Sequence, residues 1–319
     1  MSSIQEMGVQ FIQYLQTFHP QLDGIMAFFA FFAKAEYFYV FIIPFLYWNF
    51  GNRFFIKLFI MLLIDACLGE VLRIGFAQPR PWWIAEMIPI DPVSSVYSSP
   101  GGYASYTTIF FGFIAYHFRK RIITFICVFM IFACSISKMY QAAMLPDHMV
   151  FGFMQGLLML WIFVRKGDAI ANWIISLSKK RVISLAFALG MLIYLTTYLI
   201  TLLQLTYELP VYMLKYKVIP SVRLANGATP FMTGFLISAL VSLNLNYYNH
   251  QESKINLKLW KRIVGTIMGL LVVFVLFILM RTTLIKMFNN DLVIGSINLS
   301  AATITGLWVY YYLPKRLYK

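Results

Sequence analysis

The chain has 319 residues, of which 61% are hydrophobic, 18% aromatic and only 12% charged. A water-soluble protein of this length has no interior large enough to hide so much apolar surface, so the composition excludes a soluble globular domain. The net charge of +14 invites nucleic acid as a partner, but the basic residues fall in short loops between apolar runs, and that distribution argues against it.

Residues 4–17 (IQEMGVQFIQYLQT) are too short to cross a bilayer and carry Glu6, Gln10, Gln13 and Gln16, the pattern of an amphipathic helix lying in the interface. The start lacks the basic region of a cleaved signal peptide, so the first spanning run is expected to serve as the membrane signal. Runs of about 20 apolar residues, the length that crosses a bilayer, set the rest. They predict spans near 24–48, 54–75, 103–117, 122–143, 148–164, 183–204, 229–247, 262–284 and 293–313. The first carries Lys34 and Glu36, expected to pair with each other or with another helix. Cys67, Cys127 and Cys134 lie inside apolar runs and read as small packing residues.

The second span holds Asp65, Glu70 and Arg73; Glu70 and Arg73 stand three apart on one helical face and can pair. Gln78-Pro79 breaks the run, Arg80 follows, and Pro81 stops any helix arriving there. A loop at 82–102 opens on Trp82 and Trp83, suited to the interfacial belt, and ends in Pro100-Gly101-Gly102. Glycines feeding a helix start leave backbone N–H groups unpaired, which makes either an anion cradle or a plain turn. The fourth span ends in Ser137, Lys138 and Tyr140, and Pro146-Asp147-His148 opens the fifth. Beyond residue 182 come four more runs and no comparable polar cluster. The loop at 205–227 carries Glu208, Lys215, Lys217 and Arg223, while Arg281 can snorkel to the nearby surface. His19, His117 and His250 are scattered and suggest no metal site, and nothing implies a cofactor.

The fold class that follows is all-α: a polytopic membrane helix bundle with a core at 1–166 and a four-span region at 167–319. Arg53, Lys57, Arg119, Lys120, Arg121, Arg165, Lys166, Lys179, Lys180 and Arg181 fall on one side with the basic C-terminal loops. The positive-inside bias puts that side and the C-terminus in the cytoplasm, facing anionic headgroups. The three polar segments at 73–81, 97–105 and 137–152 then share the extracytoplasmic face.

In order and spacing, those segments resemble the three signature motifs of the PAP2 superfamily. The family pattern is a basic residue, six residues, then Arg-Pro; later Pro-Ser-Gly-His; later Ser-Arg, five residues, His, three residues, Asp. Arg73 and Arg80-Pro81 match the first motif, Pro100-Gly101-Gly102-Tyr103 lies where the second would, and Ser137-Lys138 takes the Ser-Arg place. The resemblance covers roughly residues 20–166, and the layout is that of longer bacterial members, which implies a bacterial cytoplasmic membrane. It implies a lipid phosphatase whose third-motif His attacks phosphorus, whose Asp orients that His, and whose second-motif His protonates the leaving oxygen. Those three positions hold Met144, His148 and Tyr103. A thioether has no proton to lose and accepts only weakly, so Met144 cannot replace the nucleophile. Tyr103, with an ordinary pKa near ~10, is a poor general acid at neutral pH.

Positive charge survives at all three cationic places, Arg73, Arg80 and Lys138, beside the Gly101-Gly102 backbone. The leading expectation is therefore a degenerate member that binds a lipid phosphate or diphosphate without hydrolysing it, as a sensor, carrier or regulatory partner. One alternative is an active lipid phosphatase using a displaced His148, with Asp147 beside it. Adjacent helical residues point about 100° apart, however, so Asp147 is badly placed to orient that ring. A second alternative is a transporter or assembly subunit using the fold as scaffold. The expected ligand is a membrane lipid with a phosphate headgroup; a partner membrane protein or a homo-oligomer stays open.

Overall fold

The structure is a computed structural model that describes residues 3–33, 53–90, 97–204, 222–249, 263–264, 266–272, 275 and 291–312. Among the described residues the regular structure is helical and no strand occurs. In chain order the helices are α1 (Ser3–Gln16), α2 (Asp23–Phe32), α3 (Arg53–Phe76), α4 (Pro81–Ile84), α5 (Gly102–Phe118) and α6 (Arg121–Tyr140). They continue with α7 (Pro146–Ser176), α8 (Lys179–Gln204), α9 (Val222–Asn249) and α10 (Asp291–Leu307), which runs into a π-helical turn at Trp308–Tyr312.

Among the described residues, four stretches are long and apolar enough to cross a membrane: α6, α7, Lys179–Ile200 of α8, and Val293–Tyr312. Large side chains such as Phe125, Phe129, Phe151, Leu158 and Trp161 stand exposed on them, which suits lipid rather than water. The chain is an integral membrane protein. The runs expected at 24–48 and 229–247 contain the shorter apolar helices Asp23–Phe32 and Phe231–Leu245. Lys34, Glu36, Glu208, Lys215, Lys217, His250 and Arg281 lie outside the described residues.

Two helix boundaries differ from the hydropathy reading. α6 ends at Tyr140 rather than 143, because Ala142 adopts a left-handed backbone with φ 55° and turns the chain. α7 runs on to Ser176 rather than stopping at 164. Hydropathy marks where the membrane ends, whereas Arg165, Lys166 and Asp168 are compatible with continued helix, and Asp168 pairs with Lys57.

The chain clusters into two compact units. One comprises Met1–Ala35, Leu68–Ile162 and Leu199–Ala225, and contains every motif residue; the other comprises Glu36–Cys67, Phe163–Tyr198 and Asn226–Lys319. In the first unit α5 and α6 form an antiparallel hairpin closed by Arg119, left-handed at φ 51°. α2 packs on α6, with Phe29 edge-on to Phe129. α7 lies against α5 through Gly152 and Gly156, a G-x-x-x-G pair whose missing side chains let two backbones approach. A Cβ at Gly152 would fall on the Gly101 carbonyl oxygen, and one at Gly156 would stand 2.7 Å from the Ser105 carbonyl oxygen.

α1 forms as expected and caps the end of this unit. Gly8 rests on Pro146, where an added Cβ would stand 3.0 Å from Cδ, and Val9 and Ile12 join a buried cluster with Trp83, Ile84, Tyr97, Met144 and Leu145. Its glutamines tie down the neighbouring loop: Gln13 Nε2 donates to Glu86 O at 3.3 Å, and Gln16 Nε2 to Ile88 O at 2.8 Å and Tyr140 O at 2.9 Å. Ile4, Met7, Phe11 and Tyr14 form an exposed apolar stripe on the opposite side, as an interfacial helix requires.

The second unit uses small residues in the same way. Gly190 meets Thr233 and Ile237, Gly234 meets the Leu299 carbonyl and Ala302, and Gly295 meets the Tyr194 hydroxyl. Phe59 meets Phe235 edge-on and lies tilted against Tyr310. The three cysteines are buried thiols, in keeping with a packing role. Asn244 is buried at the end of α7 and donates from Nδ2 to the carbonyls of Ile174 (2.8 Å), Ile175 (3.3 Å) and Leu177 (3.0 Å), where the helix runs out of its own donors and only Ile174 O keeps a backbone partner, Leu177 N. Asn244→Leu keeps the branching but removes the amide donor from the Ile175 and Leu177 carbonyls, so a stability loss of roughly 1–3 kcal/mol is expected. An unchanged thermal midpoint in detergent would contradict that account.

Candidate functional site

Three short connections meet at one end of the first unit: the segment after α3, the segment entering α5, and the turn between α6 and α7. Ala77 and Ala142 bend two of them with left-handed φ of 50° and 55°, a conformation that costs a residue with a Cβ and lets the chain reverse in a small space. A backbone bond from Ser98 N to Gln78 O (3.0 Å) joins the first two. The Ala143 carbonyl joins the third, accepting from Arg80 Nη1 at 2.7 Å and Ser98 Oγ at 3.3 Å.

The cations gather around Tyr103 and Gly102. Lys138, only 1% exposed, places Nζ 4.7 Å from the centre of the Tyr103 ring and donates to Gln141 Oε1 at 2.9 Å. Arg80, 5% exposed, donates to Ala143 O and lies near enough to the Tyr103 hydroxyl to feel it electrostatically. Burial pushes its pKa below the ordinary arginine value and the Arg73 charge adds to that, while Tyr103 and Glu70 oppose it. Arg73, in the last turn of α3, donates from Nη2 to Glu70 Oε1 at 2.7 Å and from Nε to Gly69 O at 3.2 Å. It borders Gly102, where a Cβ would stand 3.3 Å from Nη1. The Glu70–Arg73 pair thus forms as its spacing predicts.

Arg80 and Lys138 are both enclosed by the turns around them rather than lying on the surface. Other expectations change. The two glycine amides do not stand open together: Gly101 N–H already donates to His148 O at 2.8 Å. Backbone N–H groups at the helix start narrow to Gly102 and Tyr103, the first two residues of α5, which have no carbonyl four residues back within the helix. Ser137 turns its hydroxyl onto its own helix, donating to Cys134 O at 2.7 Å.

Met144 is buried against Gly101, its Sδ 3.0 Å from where a Cβ on Gly101 would stand. His148 is 1% exposed, and neither ring nitrogen has a hydrogen-bond partner among the described residues. Its Nε2 lies 3.8 Å from Asp147 Oδ2, beyond hydrogen-bond reach, so the neighbouring carboxylate does not orient the ring.

Gln141 and the Ala143 carbonyl belong to the site without having been singled out in the sequence. Gln141 stands three residues after Lys138, a spacing that signals a side-chain pair. The carbonyl gives no such signal, since its direction depends on the left-handed turn at Ala142.

A sequence model described as PAP2 superfamily matches residues 54–171, a segment that holds Arg73, Arg80, Gly101, Gly102, Tyr103, Lys138, Met144, Asp147 and His148. No curated protein and no solved structure matches the chain.

Proposed function

Residues 54–171 belong to the PAP2 superfamily, and on that premise we propose that the protein binds the phosphate or diphosphate headgroup of a lipid at the extracytoplasmic membrane surface without hydrolysing it. The observation that carries this reading is the closure of Arg73, Arg80 and Lys138 around Tyr103 and the start of α5. Guanidinium groups offer planar forks to phosphate oxygens, Lys138 adds a point charge, and the first amides of α5 point the same way as an anion-binding helix start. The Tyr103 hydroxyl oxygen holds the place of a phosphate oxygen near Arg80, and a headgroup enters by displacing that side chain, which is itself only half-buried.

Lack of turnover follows from the other half of the site. Met144 supplies no nucleophile, and Tyr103 stands where the resemblance places the histidine that protonates the leaving oxygen. His148 is enclosed, and Asp147 stands too far away to fix its tautomer. Binding without chemistry suits a sensor, a carrier or a regulatory partner for enzymes acting on the same lipid.

The test is retention of phosphatidic acid and of a polyprenyl diphosphate by the purified protein, read by native mass spectrometry beside an assay for released phosphate. Wild-type protein is expected to retain phosphorylated lipid over its dephosphorylated counterpart and to release no phosphate. A charge-assisted hydrogen bond contributes roughly 1.5–3 kcal/mol, so Lys138→Met and Arg80→Ala are each expected to weaken retention roughly 10- to 100-fold. Retention untouched by both substitutions would favour a scaffold or transport role. Phosphate release that disappears in His148→Ala would establish a phosphatase instead.

A further inference from the structure

The far end of the α5–α6 hairpin carries a second constellation that the site above does not use. Arg119, Lys120 and Arg121 occupy the turn, all exposed, and beside them lies a groove of about 580 Å³ lined by Ala115, Tyr116, Arg119, Arg121, Thr124 and Phe125. Arg119 is held in place there: its guanidinium lies 5.0 Å from the Tyr116 ring centre, and Nε donates to Tyr116 O at 3.4 Å. Arg121 is the first residue of α6, and its side chain makes no bond among the described residues.

We propose that this groove is a binding site for an anionic phospholipid, with the headgroup phosphate between Arg119 and Arg121 and an acyl chain running down the outer face of α6. Charge complementarity favours that occupant. Basic residues at the first turn of a helix stand at the positive end of its dipole, an arrangement that an anion in the groove relieves. Two guanidinium forks match the oxygens of a phosphate diester, and Thr124 offers a hydroxyl at the same depth. The apolar half of the ligand has its own track: from Phe125 in the groove, Ile122 and Ile126 continue along α6 at helical spacing, all three exposed. Tyr116 sits where an aromatic ring with one wet edge is favoured, at the boundary of headgroup and chain.

Depth separates this site from the first. α5 has 17 residues between the Gly102 end and the Arg119 end, which at about 1.5 Å per residue is roughly 25 Å. That is close to the ~30 Å hydrocarbon thickness of a bilayer. One hairpin therefore presents a phosphate-type site to each leaflet, and the second does not depend on the reading given to the first.

The experiment places the full-length protein in nanodiscs of equal phosphatidylcholine and phosphatidylglycerol, and counts the lipids that survive into native mass spectra. Wild-type protein is expected to retain phosphatidylglycerol selectively, and Arg119→Gln with Arg121→Gln to reduce that selectivity about tenfold through loss of both forks. Removing equal charge from the start of α8 with Lys179→Gln and Lys180→Gln is expected to leave it intact. Equal losses in the two double variants would make the groove ordinary basic surface and overturn the proposal. So would displacement of the retained lipid by excess glycerol phosphate, which would identify a soluble phosphate as the ligand. Arg121→Gln alone, which breaks no bond within the described structure, keeps the test decisive should the double variant fail to fold; unchanged selectivity in it counts against the site.

Discussion

Gly152→Ala is expected to cost the protein both stability and lipid retention, although one methyl group is the whole change. The new Cβ would land on the Gly101 carbonyl oxygen and 3.0 Å from the Ala104 Cβ. A carbonyl in the backbone has no rotamer to move into, so the helices themselves must separate; overpacking of this kind costs about 1–3 kcal/mol. The separation falls on the site, because Gly101 precedes α5 and its amide is bonded to His148 O at 2.8 Å. Lengthening that bond shifts the start of α5 and carries Tyr103 away from Lys138. Gly156→Ala is expected to act similarly, since its Cβ would stand 2.7 Å from the Ser105 carbonyl oxygen and 2.8 Å from the Thr108 Cβ. Gly167→Ala, on the same helix, is the control: its nearest neighbour is Phe163 Cδ1 at an ordinary 3.5 Å. There the better helix propensity of alanine, close to ~1 kcal/mol, leaves stability unchanged or raised. Thermal midpoints in detergent decide the matter, and a Gly152→Ala protein as stable as Gly167→Ala would mean that α5 and α7 are not in the contact described.

How much of this was legible in the sequence depended on the range of each cause. Helix positions came from apolar run length, a local property, and α3 and α5 fall within a residue or so of the runs read at 54–75 and 103–117. The Glu70–Arg73 pair was legible because both partners lie within one turn of one helix. The cationic residues were legible as a set from their spacing, and the structure adds that Lys138 lies over Tyr103, Arg80 near it, and Arg73 beside Gly102. What the sequence did not reveal was the enclosure. Nothing in the spacing shows that Lys138 and Arg80 are buried; that depends on the turn at Ala142, which folds the Ala143 carbonyl over Arg80, and on α1, which seals the neighbouring cluster. The loss of the Gly101 amide was hidden for the same reason: its acceptor lies 47 residues away, and only the close approach permitted by Gly152 brings the two together.

If the protein binds lipid phosphate without turnover, Tyr103→His, Met144→His and His148→Asp, made together, are expected to confer hydrolysis on it. The cradle already gathers charge at the start of α5, so the triple variant adds only chemistry: an imidazole to attack, a carboxylate to orient it, and a second imidazole to protonate the leaving oxygen. Such groups act as a unit, and each single variant is expected to stay silent. General acid–base assistance alone is worth about 10²–10⁴ in rate, well above the detection limit of a phosphate-release assay. Completing the second motif with Gly101→Ser is expected to reduce this activity rather than raise it. The serine Cβ would stand 2.7 Å from the His148 carbonyl oxygen, against backbone, so restoring the hydroxyl pushes α7 off the helix it must touch. A triple variant improved by serine at 101 would mean that the approach of α7 to α5 is looser than described. Silence from a triple variant with a normal thermal midpoint would count against a cradle able to hold phosphate at all. Phosphate accumulating from the unmodified chain would end the case for binding without hydrolysis, because Met144 would then stand in a site that works without the imidazole it replaces.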